Sequence, residues 1–449
     1  DRARRGDGPT LIEAVCHRLQ GHAFGSDEAH MDKSALAAAR KSAPLILLRA
    51  RLLAGKICTE AELAAADASA RAEVDDAIEY ARATPLPTAD ELHDDVFAST
   101  AHIPELDTRA PAKAVGTPAP AAGTRQMTFG AAINEALDIA LGRDERVVLM
   151  GEDIADPAGG VVKTTYGLST KYGRERVRPT PIAETAIVGA AVGAALAGMR
   201  PVAEIMINDF LAVCMDQVTN HAAKLRYMSG GRTNVPLTIR TDTAGFVGSF
   251  GAQHSQSLEA WLAHTPGLKI VYPTTPHEAK GLLLSCIDDD DPCIFFEPMR
   301  CNFSSGPVPE GHYTIPLGVA DTKRAGKDLT IISYGWPLVE SLSAAEKLAK
   351  DGIDAEVLDL RSIVPLDRPA ILESVGRTKR ALVVHAAVEF AGFGAELATL
   401  IHQNLHGALK APVGRVGARY TPVPFSQALE GLHFPTEARI LEAARALVR

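Results

Sequence analysis

From Met127 onward the chain alternates short apolar runs with amphipathic segments, and this alternation constrains its fold more than any other feature. Apolar runs typical of buried strands lie at 147–150, 201–205, 237–240, 269–271 and 293–296. Candidate helices lie between them at 130–141, 185–197, 213–227 and 276–286. Buried strands separated by helices predict an α/β fold with a doubly wound, mostly parallel sheet.

A second pattern of the same kind follows Gly326. Strands are predicted at 329–333, 355–359 and 380–384, with helices at 337–351 and 396–405. Pro365-Leu-Asp367 is expected to open one further helix. The sequence therefore predicts two successive α/β domains.

The residues ahead of these domains have a different character. Residues 33–83 are rich in Ala, Leu and Glu, with charges at helical spacing, and Thr59-Glu-Ala-Glu62 resembles a capping box. Residues 10–18 alternate enough to favour one strand. A Pro-, Ala- and Gly-rich stretch without periodicity follows, which is the composition of a solvated linker. We predict a mainly helical segment (1–104), a linker (105–126), and α/β domains at 127–312 and 313–449.

Composition argues against several classes of protein. The net charge of −9 and the pI of about 5.9 argue against a nucleic-acid-binding protein, which needs a basic face. The longest apolar run, 186–199, is too short to span a bilayer. The six cysteines form no CxxC pair, which favours a reducing compartment. We therefore expect a cytoplasmic protein that binds neither nucleic acid nor membrane.

One carboxylate stands at the start of an apolar helix. Residues 180–200 read TPIAETAIVGAAVGAALAGMR, in which Glu184 precedes a run of small and apolar residues. A carboxylate there can simply cap the helix, stabilised by free N–H groups and the helix dipole. The position is also open to a functional role, but the residue pattern alone favours the capping role.

Seven blocks of residues resemble one enzyme family, and they occur in the family's own order. These blocks are Gly151-Glu-Asp153, Tyr172-Gly173, 180–184 (TPIAE), Arg200-Pro201, 223–231 (AKLRYMSGG), 253–256 (QHSQ) and Pro365-Leu-Asp367. From Met127 to the C-terminus the chain resembles the beta subunit of the thiamine-diphosphate-dependent dehydrogenase component of 2-oxoacid dehydrogenase complexes. The resemblance implies a thiamine-diphosphate-binding fold followed by a transketolase C-terminal-like domain. It also implies oxidative decarboxylation of a 2-oxo acid, with acyl transfer to a lipoyl group.

The resemblance assigns roles to four residues. Glu184 matches a glutamate that hydrogen-bonds the cofactor's aminopyrimidine ring and so helps the cofactor to activate its own thiazolium carbon. Ile182 and Phe210 match apolar side chains that pack on the pyrimidine, although ordinary core packing explains both as well. His254 matches a histidine that transfers a proton near the reacting carbon or the lipoyl dithiolane; the alternative is a loop histidine bonded to backbone.

The resemblance further implies a structural potassium ion. Its ligands would be backbone oxygens of Leu237, Cys286 and Ile287, together with Asp289 and Asp291. Oxygen donors of this kind suit a hard cation. Four consecutive aspartates, 288–291, describe a solvated turn equally well.

The N-terminal segment resembles the C-terminal end of the family's alpha subunit, at residues 8–14, Arg18, Gly21-His22 and 63–83. His22 would match a catalytic histidine at the mouth of the site, or it is a surface-loop histidine. Gly6-Asp-Gly8 looks like the start of the family's diphosphate and magnesium motif, but that motif requires a later Asn, and none occurs before Asn134. We therefore expect an alpha–beta fusion whose magnesium ligands lie in an alpha region outside this sequence.

The expected partners follow from the same resemblance. They are a lipoyl-bearing acyltransferase or carrier protein and a second alpha or fused chain, giving a dimer of fused chains or a heterotetramer. Two other functions stay open. Because residues 24–31 depart from the family pattern, the donor could be a ketose phosphate whose two-carbon unit passes to a carrier-bound lipoyl group. A non-catalytic scaffold subunit is the third possibility, although a scaffold has no need of Glu184 or His254.

Overall fold

The computed structural model describes residues 2, 5–8, 10, 12–20, 32–98, 123–248 and 250–449. Two compact units make up the chain, residues 1–89 and 90–449. Among the described residues, no helix has the length and apolar character that crossing a bilayer requires.

Residues 33–83 of the first unit are mostly helical. Its helices are α1 (Lys33–Lys41), α2 (Pro44–Ala54) and α3 (Glu60–Ala83). The predicted capping box is confirmed: the Thr59 side chain accepts from the N–H of Glu62, and the Glu62 carboxylate accepts from the N–H of Thr59. The strand predicted at 10–18 is wrong, because the described residues 12–19 have no regular structure. Without a partner strand, a short alternating run has no ladder to join.

The second unit contains two sheets and their helices. In chain order the first set is β1 (Thr124–Thr128), α4 (Phe129–Arg143), β2 (Val147–Glu152), α5 (Leu168–Tyr172), β3 (Val177–Thr180), α6 (Glu184–Leu196), β4 (Arg200–Ile207), α7 (Leu211–Asp216), α8 (Leu225–Met228), β5 (Thr238–Thr243), α9 (Glu259–Ala263), β6 (Lys269–Val271), α10 (Pro276–Asp288), β7 (Cys293–Pro298) and β8 (Ser305–Pro309). The second set is β9 (Asp321–Arg324), β10 (Leu329–Ser333), α11 (Pro337–Lys350), β11 (Ala355–Asp359), β12 (Ser362–Val364), α12 (Arg368–Thr378), β13 (Ala381–Val388), α13 (Phe393–Leu405), β14 (Gly414–Ala418), α14 (Gln427–His433) and α15 (Glu437–Val448).

The larger sheet is doubly wound, as predicted. Its strand order is β12-β6-β7-β5-β4-β2-β3, and all neighbours are parallel except the β12–β6 pair. Successive residues of β7 face opposite sides: Ile294 and Phe296 pack in the core with α6, while Phe295 packs in the core with α4 and α10. Helices thus cover both faces, and the carboxyl ends of the parallel strands share one edge.

The smaller sheet forms the C-terminal α/β domain. Its order is β14-β13-β10-β11-β9, with only β9 antiparallel. Helix α12 begins after Asp367, whose side chain accepts from the N–H of Ala370, so the helix predicted at Pro365-Leu-Asp367 is confirmed one residue later.

Two details differ from the sequence prediction. The end of the predicted linker is a strand, because Thr124–Thr128 pairs with Ser305–Pro309 in a two-stranded sheet. The helix predicted at 213–227 is three pieces: α7, a π-helical turn at Gln217–Ala222, and α8. The four-part division of the chain itself stays a prediction.

Candidate active site

The carboxyl ends of β2, β3 and β4 bring three polar groups to one edge of the larger sheet. Glu152 is the last residue of β2, Glu184 opens α6 after β3, and a 3₁₀ turn at Asn208–Phe210 follows β4. In doubly wound sheets this edge is where ligands bind.

Glu184 is the first residue of α6 and is 9% exposed. Among the described residues, no group forms a hydrogen bond or an ion pair with its carboxylate. The next residue, Thr185, donates its hydroxyl to the carbonyl of Val213 at 2.7 Å and so fixes the start of α6 against α7. A carboxylate that is buried without a partner is costly. It is therefore suited to a ligand that brings its own donor.

Glu152 is a second buried carboxylate at this edge. Neither the residue pattern nor the family resemblance predicts a role for it. It is 8% exposed, and its pKa is raised by burial and by the charges of Glu184, Asp153 and Glu204. The two carboxylates Glu152 and Glu184 are therefore close enough to repel each other. A polar residue ending a buried parallel strand was the signal that could have found Glu152.

Phe210 and His254 lie against each other. Their ring centroids are 5.3 Å apart at 84°, an edge-to-face contact. Phe210 packs against the core on its other side. The Cys214 thiol is 4.0 Å from the carbonyl oxygen of Phe210, and the pKa of that thiol is raised to about 12 by burial and by the charge of Glu184. The Thr185–Val213 bond and the contacts of Cys214 and Phe210 thus place the start of α6 and His254 on either side of α7 and the turn before it.

The loop that carries His254 is held by the turn after β4. Asn208 is fully buried; it donates to the carbonyl of Gln256 at 3.0 Å and accepts from the N–H of Leu258 at 3.0 Å. Asp209 accepts from the amide side chain of Gln256 at 2.8 Å. Burial raises the pKa of Asp209, although the hydrogen bonds from Gln256 oppose that rise. These bonds fix the backbone two residues beyond His254.

The remaining predicted site residues have different surroundings. Ile182 is 83% exposed, two residues before Glu184. His22 lies outside the described residues. The structure thus brings Glu184, Phe210 and His254 together, leaves Ile182 on the surface beside Glu184, and gives no position for His22.

The oxygens predicted to bind potassium already have nitrogen donors. The ammonium of Lys269 is 2.7 Å from the carboxylate of Asp289 and 2.9 Å from that of Asp291. A guanidinium nitrogen of Arg200 is 3.1 Å from the carbonyl oxygen of Ile287. Because these oxygens already accept from Lys269 and Arg200, they do not fit a further cation. The potassium site stays a prediction without support from the geometry.

The pyrimidine half of a thiamine diphosphate site fits the residues present. An unpartnered buried carboxylate suits a ring nitrogen that carries a proton, and the exposed Ile182 and the ring of Phe210 offer apolar surface. Among the described residues, no group of three or more His, Cys, Asp or Glu side chains is arranged to hold a metal ion.

Three family models match the chain. Residues 125–301 match the transketolase pyrimidine-binding domain, residues 318–440 match the transketolase C-terminal domain, and residues 1–90 match the dehydrogenase E1 component.

Curated relatives cover the second part of the chain. The beta subunit of acetoin:2,6-dichlorophenolindophenol oxidoreductase from Cupriavidus necator is 46% identical over 331 residues, which cover 72% of this chain and 97% of the relative. The pyruvate dehydrogenase E1 component subunit beta from Bacillus subtilis is 47% identical, covering 71% of this chain and 98% of the relative. The 2-oxoisovalerate dehydrogenase subunit beta from the same organism is 41% identical, covering 72% and 98%.

The chain belongs to the E1 components of the 2-oxoacid dehydrogenases.

As an E1 component, the chain combines a beta region with an alpha-like region at residues 1–90. The family is thiamine-diphosphate-dependent and carries out oxidative decarboxylation, and E1 subunits pair as alpha and beta and work with lipoyl-bearing partners in their complexes. The family, fold class and reaction type predicted from the sequence are therefore confirmed.

A solved structure supports the fold of this E1 chain. A split-gene transketolase, described as an inactive beta4 tetramer, matches with a TM-score of 0.58 and 21% identity, covering 72% of this chain and 98% of that chain. At this level of identity the match establishes the transketolase-like architecture alone.

Proposed function

We propose that this E1 chain decarboxylates a 2-oxo acid and passes the acyl group to a lipoyl group of a partner acyltransferase, with Glu184 and His254 as its catalytic residues. The observation that carries the assignment is the carboxylate of Glu184, which is buried at the start of α6 without a partner among the described residues. A capping role leaves this burial unexplained, because an exposed carboxylate serves that role at a lower desolvation cost.

Glu184 would accept a hydrogen bond from the aminopyrimidine ring of the cofactor, a role that suits a carboxylate without a protein partner at the start of α6. When bound, thiamine diphosphate supplies a nucleophilic carbon and an electron sink for the bond to the leaving carboxylate. Phe210 and the exposed Ile182 orient the ring by apolar contact. The pKa of Glu152 is raised by burial and by the charge of Glu184, so Glu152 is a second carboxyl group at this edge that could hold a proton.

His254 moves a proton at the reacting end of the site. Its edge contact with Phe210 places it next to the same apolar wall. The bonds from Asn208 and Asp209 to Gln256 limit movement of its loop. A histidine with this support is suited to donate a proton to the lipoyl sulfur as the acyl group is transferred.

The substrate is a 2-oxo acid of the kind named in two relatives, pyruvate or 2-oxoisovalerate. Acetoin is a second candidate, favoured by two relatives named for acetoin oxidoreduction at 46% and 45% identity. Turnover of pyruvate, 2-oxoisovalerate, acetoin and a ketose phosphate by the assembled enzyme would separate these donors. Turnover of the ketose phosphate alone would favour the specialised pathway over the dehydrogenase reaction.

The assembly is a dimer of fused chains or a heterotetramer. An alpha region supplies the diphosphate and magnesium ligands, and a catalytic role for His22, which lies outside the described residues, rests on the family resemblance alone.

The test compares Glu184→Gln with the unchanged chain, each assembled with a complete alpha region. Because Gln cannot share the proton, we expect turnover to fall about 10²- to 10⁴-fold. Calorimetric titration with thiamine diphosphate and magnesium should show weaker binding. Glu175→Gln, a surface variant, is the matched control. Full activity of Glu184→Gln would contradict the assignment of Glu184, whereas no turnover by the unchanged chain assembled with the alpha region would favour the scaffold alternative.

A further inference from the structure

The loop predicted to bind potassium has a buried lysine at its centre. Lys269 Nζ lies 2.7 Å from each carboxylate oxygen of Asp289 and 2.9 Å from Oδ2 of Asp291. Lys269 is 2% exposed and Asp291 is 1% exposed. Burial by itself lowers the pKa of Lys269, but the charges of Asp291 and Asp289 outweigh it and raise that pKa overall. Lys269 is therefore a cation enclosed by two carboxylates.

The other oxygens predicted to bind potassium also accept from nitrogen. These bonds are Leu237 O from Cys293 N at 2.8 Å, Cys286 O from Asp289 N at 3.3 Å, and Ile287 O from Arg200 Nη1 at 3.1 Å. A hard cation is held by several oxygens that converge on it. Here every predicted ligand is already bonded to an N–H group of the chain.

The Asp291 carboxylate also anchors residues 97–98, near the start of the second unit. The N–H of Ala98 donates to Asp291 Oδ1 at 2.8 Å, and the buried ring of Phe97 lies 5.9 Å from Lys269 Nζ in a cation–π contact. With Asp289 and Asp291 both charged, the group has one negative charge in excess, which the N–H groups of Ala98 and Asp291 offset in part. The lysine thus joins residues 97–98, β6 and the loop before β7.

We infer that the ammonium of Lys269 takes the place of the potassium ion in this chain, so that its fold requires no monovalent cation. The inference rests on the disagreement between the family resemblance and the donor geometry. It is independent of the roles proposed for Glu184 and His254.

The first test is thermal unfolding of the chain in potassium, sodium and tetramethylammonium chloride at equal ionic strength. A cation that binds only the folded state raises Tm in proportion to the logarithm of its concentration. We expect the same Tm in all three salts. A saturable rise of Tm in potassium that sodium and tetramethylammonium do not reproduce would overturn the inference.

The second test removes the internal cation. Lys269→Met keeps the length of the side chain but leaves the buried carboxylate of Asp291 and the partly buried one of Asp289 without a counter-ion, so we expect Tm to fall by several degrees. Lys327→Met, a change of the same kind at an exposed position, should leave Tm unchanged. Unfolding of Lys269→Met at the wild-type temperature would also overturn the inference. If that variant fails to fold, the comparison of Tm in the three salts still tests whether the fold requires a monovalent cation.

Discussion

Glu152 and Glu184 place two carboxylates at one buried edge of the sheet. Their burial and repulsion lower the stability of the fold, and folding alone does not explain why both are present. Burial and the charge of Glu184 raise the pKa of Glu152 above its usual 4.5. A carboxyl group whose pKa is raised on folding contributes stability at low pH, and that contribution is lost as the pH rises through the folded-state pKa. At neutral pH, Glu152 therefore destabilises the fold, which is typical of a group retained for function.

Glu152→Gln removes this charge while keeping the shape of the side chain. We expect it to stabilise the chain by about 1 kcal/mol at pH 7, and to lose that gain as the pH falls below the usual glutamate pKa. Turnover of the assembled enzyme should fall, because the negative charge that interacts with Glu184 at this edge is lost. Thermal unfolding across pH measures the gain, with the exposed Glu145→Gln as control. A variant less stable than the unchanged chain at pH 7 would contradict the argument.

His385 changes the stability of the fold with pH in the opposite direction to Glu152. It is fully buried, and neither ring nitrogen makes a well-aligned hydrogen bond among the described residues, although the nearby backbone of Ala387 opposes the lowering of its pKa. Burial and the charge of Arg415 lower its pKa from 6.5 to about 4. Between these values the unfolded chain binds a proton that the folded chain does not, so stability falls as the pH drops from 6.5 towards 4.

His385→Leu should remove most of this dependence. Below pH 4 the buried histidine lowers the free energy of unfolding by about 3 kcal/mol, at roughly 1.4 kcal/mol per unit of pKa shift, and the variant should not show this loss. At pH 7 the variant should lie within about 1 kcal/mol of the unchanged chain, because an apolar side chain of similar size replaces unbonded polar atoms. Urea unfolding at several pH values measures both effects, with exposed His406→Leu as control. A pH slope equal to that of the unchanged chain would show that His385 is not its source.

At the scale of elements, the turn after β4 and the loop of His254 act as one unit. Asn208 and Asp209 supply the side-chain bonds that hold Gln256 and Leu258. Asp209→Ala deletes one side of this tether without touching Glu184. Because small displacements of a reacting group are costly, we expect turnover to fall about 10- to 100-fold.

Cofactor binding should be unaffected in Asp209→Ala, which separates a displaced His254 from a lost pyrimidine site. The measurements are lipoamide-dependent turnover and calorimetric titration with thiamine diphosphate. Asp216→Ala, on the exposed side of α7, is the control. Equal loss of turnover and cofactor affinity would mean that Asp209 supports the fold of the whole edge instead.

The sequence predicts the buried parallel strands of the larger sheet well and its two edge strands poorly. The apolar runs locate β2, β4, β5, β6 and β7 within three residues of their observed ends. Strand β3 is missed because it lies at the edge of the sheet, contains Pro179 and buries only Val177 fully. Strand β12 is missed because its partner, β6, lies far away in the chain. The π-helical turn at Gln217–Ala222 has no periodicity signal of its own.

At the scale of the whole molecule, the site depends on long-range contacts that periodicity does not contain. The family resemblance supplies Glu184, Phe210 and His254, and the structure brings them together. Neither the resemblance nor the spacing indicates that Lys269 would reach Asp289, twenty residues later. The positions of charged side chains in three dimensions are therefore not predictable from residue spacing. This is also true of the charges that lie between the two α/β domains.

A buried group of charges joins those domains. Glu278 on α10 contacts Arg361 at 2.8 Å and Lys323 on β9, and Arg361 reaches Asp321 at 2.7 Å. The charges of Lys323 and Arg361 outweigh burial and hold the pKa of Glu278 well below its usual range. Arg361 keeps a left-handed φ of 60°, at a cost on the order of 1 kcal/mol, and the carboxylates fix its side chain there.

Arg361→Met should break this connection. Removing one partner from a buried ion pair costs about 3–5 kcal/mol, because the charges that remain are uncompensated. Since the loss falls between the domains, we expect calorimetry to resolve two unfolding transitions where the unchanged chain shows one. Arg445→Met breaks an exposed pair with Asp351 and should cost under about 1 kcal/mol without splitting the transition. A single transition in Arg361→Met, shifted no more than in Arg445→Met, would mean that apolar packing alone couples the domains.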